Sequence, residues 1–95
     1  MTRCAFLIMH PDFRADRDKA SIHGADASII GVSSLEEACT VAAGLEKEGV
    51  GCIELCGAFT QAGAVAVIEA TGGRIPVGFV THLAQQDELF AKAFG

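Results

Sequence analysis

Short apolar runs alternate with longer mixed or amphipathic stretches along the chain, and the alternation predicts four strands and four helices. Residues 3–9 are largely apolar and stop at His10-Pro11; the residue before a proline is driven toward extended backbone, so the first strand ends there. Phe13 to His23 is mixed, carries Asp16, Arg17, Asp18 and Lys19 in a row, and reads as a short helix closed by Gly24. Ala27 to Ser33 is the second strand. Ser34-Leu35-Glu36-Glu37 then matches a capping box, in which a hydroxyl and a carboxylate satisfy the free amides of a helix start. Leu35, Ala38, Cys39, Val41, Ala42 and Leu45 line one face of that helix, and Lys47 and Gly49 mark its end.

Val50 to Cys56 is the third strand. Thr60 is expected to cap the next helix, which runs to about Thr71 and stops at Gly72-Gly73. That helix is apolar almost all round, which predicts burial on most sides and a partner subunit over its outer face. Ile75 to Val80 is the fourth strand, and Leu83 to Phe94 is a closing amphipathic helix. Strands alternating with helices predict a four-stranded parallel sheet with helices on both faces, joined by right-handed crossovers. The flavodoxin-like order 2-1-3-4 fits best; a half-barrel in order 1-2-3-4, completed by a second copy, is the other arrangement. Residues 1–95 read as a single α/β domain.

Composition adds an oligomer to this picture. A domain of this size buries only about 60–65% of its unfolded surface, yet 51% of the residues are hydrophobic. The excess predicts apolar surface covered by a second copy, a homodimer or higher assembly. The net charge of −5, with its seven basic residues scattered, argues against nucleic acid and against anionic membranes as partners. The first apolar run, Cys4 to Met9, is too short for a signal-peptide core or a membrane span, and four cysteines read as cytoplasmic thiols.

In open parallel sheets, ligands bind beyond the carboxyl ends of the strands, where the strand order reverses. Order 2-1-3-4 puts that point between the first and third strands. His10 and Pro11 arrive there from one, and Cys56, Gly57 and Ala58 from the other, with Thr81 and His82 ending the fourth strand. Cys56 precedes a loop and a helix N-terminus, a setting that favours a thiolate, and His10 or His82 is a candidate base. Cys56 read simply as a small core residue stands beside this. Glu54 shares a strand face with Cys52 and Cys56. It either pairs with Arg3, Arg74 or a histidine, or it faces a pocket or solvent; desolvated, it would serve as a general acid or base. Cys52 and Cys56 lie about 13 Å apart along a strand, which rules out a disulfide or chelate between them. A metal site of Cys56 with His10 and His82 lacks any zinc-motif spacing, so no metal or cofactor is expected. Gly57, Ala58, Phe59, Thr60 and His82 are the expected ligand contacts, Gly57 and Gly63 bracketing a loose anion cradle.

The segments Ile53 to Phe59 (I-E-L-C-G-A-F) and Gly72 to Gly78 (G-G-R-I-P-V-G), with the opening strand that runs to Pro11, resemble a family of short bacterial α/β proteins filed as a domain of unknown function. The resemblance implies the α/β fold and the importance of Glu54-Leu55-Cys56-Gly57, and it sets the Leu83–Gly95 helix apart as an extension. It implies no activity. The expectation that follows is an oligomeric module holding a small, anionic ligand at the ends of the first and third strands. The alternative is a small enzyme (an isomerase, lyase or thiol-dependent transferase) using Cys56 with Glu54 or His10.

Overall fold

The computed structural model describes residues 2–95. Five strands form one mixed sheet: β1 (Cys4–Met9), β2 (Lys19–Ile22), β3 (Ala27–Val32), β4 (Cys52–Leu55) and β5 (Val77–Phe79). Three helices accompany them: α1 (Leu35–Lys47), α2 (Thr60–Ala70) and α3 (Asp87–Phe94). The sheet order is β2-β3-β1-β4-β5. β1 pairs in parallel with β3 and β4, β4 pairs in parallel with β5, and β2 runs antiparallel to β3.

This corrects the expected four-stranded parallel sheet. The extra strand comes from the segment expected to be a helix, residues 13–23. Local bonding explains why no helix forms there. The Asp18 carboxylate accepts from the Arg14 amide at 2.7 Å, and the Arg14 carbonyl accepts from Asp18 N at 2.7 Å and Arg17 N at 3.0 Å. A side chain that satisfies the backbone in this way competes with helix formation. The chain then runs back as β2 and reverses through His23 (φ 50°) and Gly24 (φ 73°), where His23 Nδ1 lies 2.6 Å from Asp26 Oδ2. The four expected strands stand as β3-β1-β4-β5 within the five, an order incompatible with a half-barrel of sequential strands.

The register also decides which faces are covered. Ala5, Leu7, Ile30, Val32, Ile53 and Leu55 are buried on one face, together with Ala38 and Ala42 of α1 and Ala64 and Val67 of α2. The small alanines let both helices approach the strands and each other closely. The crossovers β3-α1-β4 and β4-α2-β5 advance in the same direction across the sheet, so right-handed connections put both helices on this face. The opposite face carries Cys4, Phe6 and Ile8 of β1, Ile29 of β3, Cys52 and Glu54 of β4, and Gly78 of β5, and no helix of the layer just described lies over it. Helices on both faces were expected. The second layer is missing because residues 13–23 would have supplied it and form β2 instead.

The start of α1 follows its sequence signal. Ser34 Oγ accepts from Glu37 N at 3.1 Å, and Glu37 Oε1 accepts from Ser33 N at 2.9 Å. Arg3 Nη1 donates to the Glu48 carbonyl at the other end of α1, and Arg74 Nε reaches Glu46 Oε1 at 2.7 Å. No helix among the described residues is long and apolar enough to cross a membrane.

Candidate functional site

The C-terminal edge of the sheet between β1 and β4 is built around one cysteine. Cys56 N donates to the Leu7 carbonyl at 3.0 Å, which extends the β1–β4 ladder by one rung past the strand. The Cys56 thiol is half-buried against the core, and its Sγ accepts from Met9 N at 3.4 Å. A turn of 3-10 helix over Gly57–Phe59 follows, held by Phe59 N donating to the Cys56 carbonyl. Phe59 is only 3% exposed, so its ring anchors the turn in the core and does not line a site. Gly57 lies against the exit of β5: a Cβ there would sit 3.4 Å from the Val80 carbonyl oxygen. Gly57, Ala58 and Thr60 face solvent.

Thr60 has an unusual backbone. Its φ of 61° and ψ of 178° fall in a region that is almost confined to glycine. A β-branched side chain makes this conformation costly, about 1–3 kcal/mol. The anchored Phe59 ring on one side and the start of α2 on the other hold it there. Thr60 was expected to cap α2 through its hydroxyl; instead its backbone amide donates to the Gly57 carbonyl, and no side chain caps α2. The first amides of α2 therefore contrast with those of α1, which Ser34 serves. Free amides at a helix start, with the positive end of the helix dipole, attract anions.

The other expected site residues take partners other than Cys56. The His10 ring accepts from Asp12 N at 3.1 Å and tilts against Phe13, with ring centroids 5.2 Å apart. His82 stacks on Phe90 at 4.0 Å and bonds Asp87 Oδ1 through Nε2 at 2.7 Å, which ties it to the start of α3. Glu54 is exposed on the bare sheet face, its carboxylate lying over Gly78, where a Cβ would meet Oε2 at 2.7 Å. Of its expected partners, Arg3 bonds the Ala25 and Glu48 carbonyls and Arg74 bonds Glu46. Among the described residues no hydrogen bond joins Cys56 to Glu54, His10 or His82, and no three His, Cys, Asp or Glu side chains gather as a metal site.

Two arrangements were not foreseen. Cys4 and Cys52 are direct partners across β1 and β4 on the bare face, and the Cys52 thiol lies 3.9 Å from Glu54 Oε1. Burial, followed by the Cys4 thiol, pushes the Cys52 thiol up from its ordinary value. Both cysteines were visible in the sequence, but only the β1–β4 register pairs them. The second is an open cleft of about 590 Å³ between the 11–16 loop and the first turns of α1. Its charges are already matched: Arg14 faces Asp16 at 3.6 Å, and Glu37 is taken by Ser33.

These features define a small mixed α/β domain with an uncapped helix start and a strained threonine at its strand-end edge. The chain belongs to a family of unknown function (DUF6506), which it matches over residues 2–95. The match runs through α3, so that helix lies within the family's span and is not the expected extension. No curated protein and no solved structure matches the chain.

Proposed function

We propose that the protein is an oligomeric module that holds a small anionic ligand at the C-terminal ends of β1 and β4, on the amides of Gly57 and Ala58 and the first turn of α2, beside Thr60. The observation that carries this reading is Thr60, a strained non-glycine residue at an uncapped helix start. Backbone strain of this kind concentrates at ligand sites, where surrounding structure maintains it for a purpose other than stability. Gly57 supports the reading, because without a side chain it leaves the turn open to solvent. The acidic net charge of −5 favours a small ligand over a nucleic acid. Four cysteines, none in a disulfide, fit the reducing cytoplasm. The rival reading, a thiol enzyme, draws less support because His10 and His82 are both engaged elsewhere.

Cys56 adjoins the proposed site and reports on it. Inorganic phosphate is expected to slow iodoacetamide labelling of Cys56 several-fold while leaving Cys4 and Cys52 unchanged, as followed by peptide mass. Labelling of Cys56 that phosphate does not slow counts against the reading.

A further inference from the structure

Two apolar surfaces in this chain lack a partner. One is the sheet face without a helix layer, which carries Phe6, Ile8 and Ile29 and meets the Phe13 ring at its Gly31 end, with Ile29 44% exposed. The other is the stripe on α3 formed by Leu89, Phe90 and Phe94, of which Phe94 is 84% exposed. Within its own chain α3 rests mainly on the preceding 84–86 turn and on the His82 ring. Sheets connected by right-handed crossovers are normally covered on both faces, and this one lacks a single helix layer.

The total exposed area says how much cover is needed. A compact monomer of 9.8 kDa presents about 5,200 Å². This chain presents 6097 Å². The excess, roughly 900 Å², is close to the ~800 Å² that each partner contributes to a standard stable interface.

We propose that a second copy of this chain supplies the missing layer: α3 of each copy lies across the bare sheet face of the other, in a two-fold pair. An exchange of this kind is self-complementary and closes on itself, so it stops at the dimer. Among the described residues Glu54 is the one charged side chain that the strands project onto this face, and Lys92, beside Leu89 in the last turn of α3, offers it an opposite charge, with the acids Asp87 and Glu88 confined to the first turn. This inference rests on the oligomeric part of the reading above and fails separately from its ligand part, because the anion site belongs to the strand ends of each chain.

Sedimentation equilibrium of the full chain tests it. The unmodified protein is expected at twice 9.8 kDa at micromolar concentration. Ile29→Lys on the sheet and Phe94→Asp on α3 alter exposed positions, and each is expected to weaken the dimer at least tenfold. Mixing the two variants restores dimers in part, because the sheet of one and the helix of the other are both intact. If far-UV dichroism shows that either variant fails to fold, Ile29→Thr and Phe94→Ala replace them, with a smaller loss and the same partial restoration expected. A mass of 9.8 kDa for the unmodified protein overturns the proposal. So does a dimer that withstands either substitution, or a mixture of the two variants that stays monomeric.

Discussion

Thr60 joins local strain to the proposed site. Glycine adopts φ 61° without the steric cost that threonine bears. Thr60→Gly should therefore raise stability by about 1 kcal/mol, net of the extra chain entropy glycine loses on folding, in chemical denaturation. A loss of stability would mean that the backbone at Thr60 is not strained. The sequence places Cys56, Gly57 and Thr60 at this edge, because strand ends and helix starts can be read from apolar periodicity. It does not disclose the conformation of Thr60, since a threonine before a helix ordinarily reads as a cap. Nor does it show which way the histidine rings turn. Asp12 and Phe13 settle that for His10, as Asp87 and Phe90 do for His82, and each is a local choice that strand-end topology says nothing about.

At the scale of elements, α1 was legible in detail because its capping residues, apolar face and glycine stop agree with one another. Residues 13–23 were not, because a run of alternating charges fits a solvated helix as readily as a turn and an edge strand. The outcome there rests on Asp18, and it is testable by pH. The Arg14 amide, and then Arg17, hold the Asp18 carboxyl below its ordinary range, as Arg74 does for Glu46. Folded values below the unfolded ones add stability above the usual carboxylate range of about 4, and that stability is lost as pH falls through the folded values. The thermal midpoint should fall between about pH 5 and about pH 3, and the double variant Asp18→Asn, Glu46→Gln should fall less steeply. An unchanged slope would remove both groups from the account. Gly31 provides a packing test for the same region. A Cβ there would meet the Phe13 ring at 2.8 Å and Phe13 Cβ at 3.0 Å, so the loop's anchor has to move. Gly31→Ala should destabilise by about 1–3 kcal/mol in denaturant titration; no loss would mean that Phe13 is not fixed on β3.

For the molecule as a whole, the order of the parallel strands follows from chain-connection rules, but the covering of the sheet depends on a single segment. With Lys19–Ile22 in β2, both crossover helices fall on one face, and the other has no helix layer, its Gly31 end meeting the Phe13 ring. The hydrophobic fraction of 51% raises the expectation of a second copy, and the sheet register shows an apolar face that the proposed copy would cover. The edge proposed for a ligand is the turn from Cys56 to Thr60, at the strand ends and away from the centre of that face. A titration of ¹⁵N-labelled protein with inorganic phosphate, followed amide by amide, tests that assignment most directly. The account predicts saturable shifts centred on Gly57, Ala58, Thr60 and the first turn of α2, with the centre of the sheet unmoved. Shifts centred instead on Arg14 and the start of α1, or no saturable shift at all, would contradict it.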